Sequence, residues 1–529
     1  MFGRGFESLR LHHFNFTYEV DKIISHKIKL DEINQDFERL AKSEEIRQII
    51  EFNIMNIKYN RSFINGKFES LGKLTFDVLN PVNGETISKV NDGGVSVTKK
   101  AIKSADIAFK SWSKLTAKSR SLHLENLNEL ILDNKNELAK LITLECGKPI
   151  KQSLAEVSYA ASFIKWFAEE GKRTYGEVIP TTHENKRMIV IKQPVGVVSA
   201  ITPWNFPLAM ITRKIAPALA AGCSVIVMPS YETPLTALYL ANLTSKASFP
   251  KGVLNFIVGK DVSSMGKILC SSKIVKKLSF TGSTRVGKIL SKQSSSTIKK
   301  LSLELGGNAP VIVFEDANID RAVDGTISSK FRNSGQTCVC VNRIFVHEKI
   351  HDKFVRKLVE KVEKLKIGNG LLKDTNIGPM INKSAIKKNL YLLNDSISKG
   401  GSILTGGKII NDNFFEPTVI INANKKMDFF KEEIFGPIAP IYKFENDEDV
   451  IKMANNTDYG LAAYFFSENI SRCWKTAEKL EYGMIGINEG IISSEAAPFG
   501  GMKFSGYGRE GSKYGILNYV EIKYLCFGL

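Results

Sequence analysis

The segment FRNSGQTCVCVNR, residues 331–343, places two cysteines one residue apart, Cys338 and Cys340. Such a pair could be a metal clip, a structural disulfide, or a nucleophile with a neighbour. A disulfide across a single residue closes a tight, strained ring and makes a poor permanent staple. The chain has seven cysteines, an odd number at irregular spacing, and no CxxC pair. That pattern belongs to a reducing compartment and argues against a cysteine zinc site. Two buried, inert cysteines remain an alternative, but the preceding RNSGQT is polar and small, as suits a loop opening toward a site.

A cysteine attacks as its thiolate, and a free thiol has a pKa near ~8.5. Arg332 and local N–H groups are the nearest means of lowering it. A nucleophile also needs a base and an oxyanion donor. LSLELGGNAP (301–310) sets Glu304 among apolar residues, where a carboxyl of raised pKa can act as general base. ITPWNFP (201–207) sets Asn205 in a proline-bounded loop after a strand, where its amide can donate to an oxyanion.

Two further motifs carry less. FTGSTRVG (280–287) puts small residues where a strand enters a helix, a place that suits a phosphate, although the strict GxGxxG pattern is missing. HEKIH (347–351) matches HExxH, but His347 follows the strand-like NRIFV and the segment runs on into a charged amphipathic helix. The expectation there is a solvated helix start and no metal.

These residues need elements to hold them. Short β-branched runs such as CSVIVM (223–228), VLNFIV (253–258) and APVIVF (309–314) alternate with amphipathic helices. That alternation predicts parallel sheets with crossover helices, an α/β fold. At 529 residues the chain is long enough for two to four domains. Net charge is +18, spread along the sequence, which favours small anionic ligands over nucleic acid. There is no uninterrupted apolar run of about 18 residues, so no membrane span is expected. Residues 1–61 stand apart: Leu30, Ile33, Phe37, Leu40, Ile46 and Ile50 fall near helical spacing. The opening MFGRGFESLRLHHFNFTY carries Arg4 and Arg10 and reads either as a mitochondrial targeting segment or as part of an extra helix.

Taken in order and spacing, PWNFP, FTGSTRVG, LELGGNAP, GQTC and EEIFGP (432–437) resemble the aldehyde dehydrogenase superfamily from about residue 62 onward. SKFRNSGQTCVC, NEGIISSEAAPFGG and SGYGREGSKYG resemble its succinate-semialdehyde dehydrogenase subgroup, which acts in 4-aminobutyrate breakdown. The resemblance implies a Rossmann-like cofactor domain at 62–175 and 196–304, a catalytic α/β domain at 305–502, and a β oligomerisation arm and tail at 176–195 and 503–529. It implies NAD or NADP as cofactor and a homodimer or homotetramer. The opening segment slightly favours the mitochondrial matrix over the cytoplasm.

The substrate it implies is a small aldehyde with a distal carboxylate, held by Arg213, Arg332 and Ser493. Guanidinium groups suit that role through their bidentate geometry. Cys338 would attack the aldehyde carbon. The Asn205 amide and the Cys338 N–H would hold the oxyanion. Hydride would pass to the nicotinamide, and Glu304 would activate the water that releases the acid. Cofactor contacts would fall on Trp204, on Met228, Pro229, Ser230 and Tyr231, on Gly282, Ser283, Thr284 and Gly287, and on Glu433 and Phe435. Cys340 would be a redox-switch candidate, able to form a loop disulfide with the nucleophile.

One stretch departs from the pattern. In VMPSYETP (227–234), Met228 takes the place of a lysine that contacts the adenosine ribose, and Tyr231 the place of a glutamate. Losing a charged donor costs about 1–3 kcal/mol of cofactor affinity. The departure leaves NAD versus NADP open. It also keeps two alternatives alive: a related semialdehyde such as glutarate semialdehyde, and a cofactor-impaired, non-catalytic member.

Overall fold

Continuous apolar runs fold here into strands covered on both faces, as parallel sheets require. The structure is a computed structural model that describes residues 59–69 and 72–529, with two short parallel strands, His26–Ile28 and Gln48–Ile50. Ile50, expected on a helix, lies in the second of those strands. The rest of the helical or targeting expectation for 1–61 falls outside the described residues. The two strands belong to a separate unit, Met1–Lys58, and the fold below is that of Tyr59–Leu529.

The first sheet is built from β1 (Ser62–Ile64), β2 (Lys67–Glu69), β3 (Val197–Ile201), β4 (Ser224–Met228), β5 (Leu254–Phe256), β6 (Val275–Thr281) and β7 (Lys300–Glu304). Its spatial order is Gly506–Tyr507, β7, β6, β3, β4, β5, β1, β2, and the five central strands run parallel. From β3 the chain moves to β4 and β5 on one side, then returns to β6 and β7 on the other. The crevice where a strand order reverses is where open α/β sheets bind ligands, outside the carboxyl ends of the strands. Trp204 and Asn205 follow β3 and Gly282 follows β6, so these residues flank that crevice.

Helices α1 (Ile150–Glu170), α2 (Ala209–Ala221) and α3 (Thr284–Ser294) pack around this sheet. Every residue of α2 is buried, including Arg213 and Lys214. Two cations in an otherwise apolar helix can be tolerated there only with partners.

The second sheet contains β8 (Ala309–Val313), β9 (Val341–His347), β10 (Ser402–Thr405), β11 (Thr418–Ile421), β12 (Ile438–Phe444), β13 (Ala462–Phe466) and β14 (Met484–Ile487). Its order is β10, β11, β12, β9, β8, β13, β14. Only four residues separate Glu304 at the end of β7 from Ala309 at the start of β8. That short link sets the carboxyl end of the first sheet beside the amino end of the second. Helix α4 (Glu348–Val362) follows β9, and α5 (Lys383–Ser398) lies further along.

The arm and tail pair with each other inside one chain. Lys186–Pro194 runs antiparallel to Val520–Gly528, with Glu177–Ile179 as the third strand. The tail from 503 is not all arm, because Gly506–Tyr507 adds to the edge of the first sheet beside β7.

Candidate active site

Asn333 and Ser334 take left-handed backbone angles (φ 50° and 55°), followed by Gly335 at φ 75°. Three such residues in a row are costly and persist only when the surroundings hold them. A Cβ on Gly335 would lie 2.2 Å from the Gly436 carbonyl oxygen, so only glycine lets this turn press against Phe435–Pro437. The turn is pinned by hydrogen bonds. The Asn333 N–H donates to Gln152 Oε1 at 2.8 Å, and the Ile381 N–H donates to Gln336 Oε1 at 3.0 Å. The strained turn delivers Cys338 to the wall of a cavity of about 940 Å³.

Both sheets contribute to that cavity. Asn205, Glu304, Cys338 and Arg332 line it, as do Arg213, Ser493, Trp204, Glu433 and Phe435. Residues far apart in sequence, singled out for separate reasons, therefore converge on one space. Gly282 and Ser283 line it too. Thr284, Gly287 and the stretch from Met228 to Tyr231 do not belong to its lining. Thr284 Oγ1 instead joins Phe504 O and Gly306 N, each at 3.3 Å. A Cβ on Gly287 would lie 2.5 Å from Leu305, so that glycine serves helix packing. Met228 is buried at the carboxyl end of β4, and Tyr231 sits half-buried in the loop beyond, under the ammonium of Lys260 at 5.1 Å.

Asn205 is held from two sides. One N–H of its amide donates to Gln336 O at 2.9 Å, which leaves the second N–H of the same group. Its backbone carbonyl accepts from Lys148 Nζ at 2.6 Å and from Asn333 Nδ2 at 3.2 Å. Lys148 is in turn paired with Glu156 at 2.5 Å, both side chains fully buried. Glu156 Oε1 also accepts from the N–H groups of Leu208 and Ala209, where α2 begins.

Electrostatics separate the roles. Although Cys338 is only half-buried as a residue, desolvation pushes its thiol up to about 12, with Arg213 and Arg332 pulling the other way. The expected lowering by Arg332 is present but loses to burial. Glu304 is buried, and neither of its carboxyl oxygens has a hydrogen-bond partner. Burial first, then the negative charge of Glu510, holds it well above the usual carboxylate range. We expect the alkylation rate of Cys338 by iodoacetamide, followed on its own peptide, to climb about tenfold per pH unit from roughly pH 6 to 9 without levelling. A plateau near neutrality would show a thiol already activated in the free protein.

Sequence reasoning missed several neighbours. Lys214 pairs with Glu510, donates to Ser279 Oγ at 3.2 Å, and lies next to Arg213, whose Nη2 is 2.8 Å from the other Glu510 oxygen. The adjacent cations in LAMITRKIAPALAAG were a legible signal for such a buried carboxylate. Arg213 is thus committed in part to Glu510, and its guanidinium lies 3.8 Å from the Phe499 ring centre. Lys388 and Arg285, also on the cavity wall, had no signal beyond their charge.

The residues present fit a dinucleotide. Helix α3 opens with Ser283 as its cap and turns that end toward the cavity, where Arg285 adds a positive charge. Trp204 and Phe435 meet edge to face at 5.7 Å. The Glu433 carboxyl, raised to about 7 by burial, accepts from the Gly307 N–H at 3.1 Å.

Cys340 is buried, its thiol 3.1 Å from the Lys330 carbonyl oxygen, and both Cys338 and Cys340 are free thiols. His347 caps α4 and His351 bonds Asp352 at 2.7 Å, but both rings are buried, whereas a solvated helix start was expected.

Residues 68–525 match the model of the aldehyde dehydrogenase family. A mitochondrial succinate-semialdehyde dehydrogenase from Oryza sativa subsp. japonica is 54% identical over 88% of this chain and 89% of its own. A glutarate-semialdehyde dehydrogenase from Pseudomonas putida is 52% identical over 89% of this chain and 98% of its own. The crystal structure of an NADP-dependent enzyme from E. coli superposes with a TM-score of 0.89 at 50% identity, covering 90% of this chain and all of that one. With the family model matching nearly the whole described fold, the chain belongs to the aldehyde dehydrogenase family.

Proposed function

We propose that the protein oxidises succinic semialdehyde to succinate with NAD or NADP. The observation that carries this reading is one cavity with two kinds of wall. Cys338, Glu304 and Asn205 supply a nucleophile, a base and an oxyanion donor. Arg213 and Arg332 supply cations whose buried Nε groups lack acceptors. Buried donors without acceptors cost free energy that an acceptor-only group, such as a carboxylate, recovers. An aldehyde carrying a carboxylate at its far end satisfies both walls at once.

Once the Cys338 thiol has released its proton to water, the thiolate attacks the aldehyde carbon, and a C–S bond forms while the carbonyl oxygen becomes an oxyanion. The free N–H of Asn205 holds that oxygen. When bound, the nicotinamide supplies the acceptor for the hydride that leaves the same carbon. Glu304 then takes a proton from water as the water's oxygen attacks the thioester, the C–S bond breaks, and the acid departs. Its raised pKa makes it a strong enough base for that step. Trp204 and Phe435 would wall the nicotinamide end, and Glu433 would offer its carboxyl to ribose hydroxyls. Met228 and Tyr231, at the end of β4 and in the loop beyond, would meet the adenosine, to which the thioether would offer no donor.

The exposed apolar side chains Val178, Ile522, Tyr524, Phe527 and Leu529 on the three-stranded arm fit a second copy of the chain, so we read a dimer or tetramer as the working form. The mitochondrial matrix is our reading of the compartment, supported by the name of the rice relative and the reducing pattern of cysteines.

Glutarate semialdehyde is the second reading, favoured by the Pseudomonas relative. The test is formation of reduced nicotinamide under reductant, with NAD and NADP in parallel, from the four-carbon semialdehyde, the five-carbon semialdehyde and butanal. We expect kcat/KM for the four-carbon semialdehyde to exceed that for butanal at least about tenfold. Absence of turnover with either cofactor on all three would overturn the reading.

A further inference from the structure

Helix α1 turns Gln152, Ala155, Glu156 and Tyr159 toward the cavity, one above another at helical spacing. Glu156 is used by the frame that holds Asn205, and Gln152 by the cysteine turn. Tyr159 has no such duty. Its ring meets Phe163 edge to face at 4.9 Å, a contact that phenylalanine would make equally well. Its hydroxyl is buried and makes no hydrogen bond of standard geometry. A buried hydroxyl with nothing to bind is costly, so the oxygen calls for a reason that packing does not supply.

The surroundings of that oxygen give one. Tyr159, Arg213, Arg332 and Ser493 all line the one cavity, and the two guanidinium groups and Ser493 pull against the rise that burial gives the Tyr159 pKa. These come from α2, from the turn before Cys338 and from the loop after β14. They are also the three residues to which the sequence assigned the distal carboxylate. The phenol therefore stays protonated at neutral pH and stands as a donor among donors. Arg332 Nε and Arg213 Nε are likewise buried without an acceptor. Arg213 is shared with Glu510, which leaves room for a further group in binding an anion.

We propose that Tyr159 is a substrate-positioning residue whose hydroxyl, with Arg332 and Ser493, holds the distal carboxylate and sets the four-carbon length of the substrate. This rests on the semialdehyde reading above. A carboxylate offers about four lone-pair sites, enough for a guanidinium and two hydroxyls. Arg332 and Ser493 sit on turn and loop, whereas Tyr159 sits on a helix of six turns. It therefore fixes how far the carboxylate stands from Cys338, and a longer substrate must displace it.

The test is Tyr159→Phe, which keeps the ring and its packing. For succinic semialdehyde we expect KM to rise about tenfold with kcat changed less than about twofold, since the lost contact is made equally before and during reaction. Butanal, which has no carboxylate, should be unaffected. The preference for four over five carbons should shrink. Calorimetric titration with succinate, in the absence of turnover, should show about tenfold weaker binding. An unchanged succinate affinity and KM would overturn the role, as would an equal loss on butanal. Wild-type protein that shows no preference for the semialdehyde over butanal would overturn the substrate reading itself, and Tyr159 with it.

Discussion

Cys338→Ala should lower aldehyde oxidation at least about a thousandfold and leave a folded protein. Of the seven cysteines, only Cys338 lines the cavity that also holds Glu304 and Asn205. Cys146, Cys223, Cys270, Cys340 and Cys473 are buried, and Cys526 is exposed on the arm strand. No other thiol is placed to take over. Cys338 is half-buried, so trimming it to alanine costs little of the fold, about 1 kcal/mol or less. Reduced-nicotinamide formation measures the loss, and a thermal melt checks the fold. Residual activity above about a tenth of wild type would remove Cys338 from the nucleophile's role. Loss of dinucleotide binding together with activity would point to collapse of the turn.

Glu304→Gln should split the reaction in two. With no base for water, kcat should fall about 100- to 10,000-fold, while a first burst of reduced nicotinamide survives. The acyl group should then be found on Cys338 by mass spectrometry. An equal loss of burst and steady state would show that Glu304 acts on the first half of the reaction instead. The same variant makes a statement about stability. The folded-state pKa of Glu304 is raised above its unfolded value, so the folded protein binds more protons across the interval between the two. Folding stability from this group therefore falls as pH rises through that interval. Glutamine cannot ionise, so the variant should lose this decline and be the more stable protein at alkaline pH. Urea midpoints near pH 6 and pH 9 measure it. A variant that follows the wild-type pH dependence would mean that Glu304 is not the group responsible.

A buried ion cluster acts on the charge of Glu304. Arg213 and Lys214 are cations in a helix with no exposed residue, and Glu510 pairs with both. Together they hold Glu510 ionised below the ordinary glutamate range, with burial opposing them. Glu510 in turn pushes Glu304 upward. Burial raises the Glu304 carboxyl first, and the charge of a residue about two hundred positions away in sequence raises it further, against the pull of Arg213 and Lys214. Lys148 and Glu156 do comparable work for Asn205 by tying its carbonyl to the start of the same helix.

Much of this was legible in the sequence. SVIVM and APVIV are unbroken apolar β-branched runs, and both became strands buried along their whole length. His347 at the end of NRIFV became a helix cap, because a strand pattern and an amphipathic pattern met at that residue. GQTC, LELGG and PWNFP marked the thiol, the carboxyl and the amide, because strand-to-loop junctions carry local signatures in glycine and proline. Glycine at 335 was required by a turn whose neighbours crowd it.

What the sequence left open depends on contacts between distant segments. The candidate nucleophile, its candidate base and the parallel α/β frame are legible in short windows, because local residue types and periodicity carry them. That Tyr159 and Arg332 line one cavity, that Arg213 pairs with Glu510, that Gly287 packs on Leu305, and that burial overrides Arg332 at Cys338 are properties of the assembled interior. Desolvation and pairing are sums over everything nearby in space, and only the tertiary structure decides what is near.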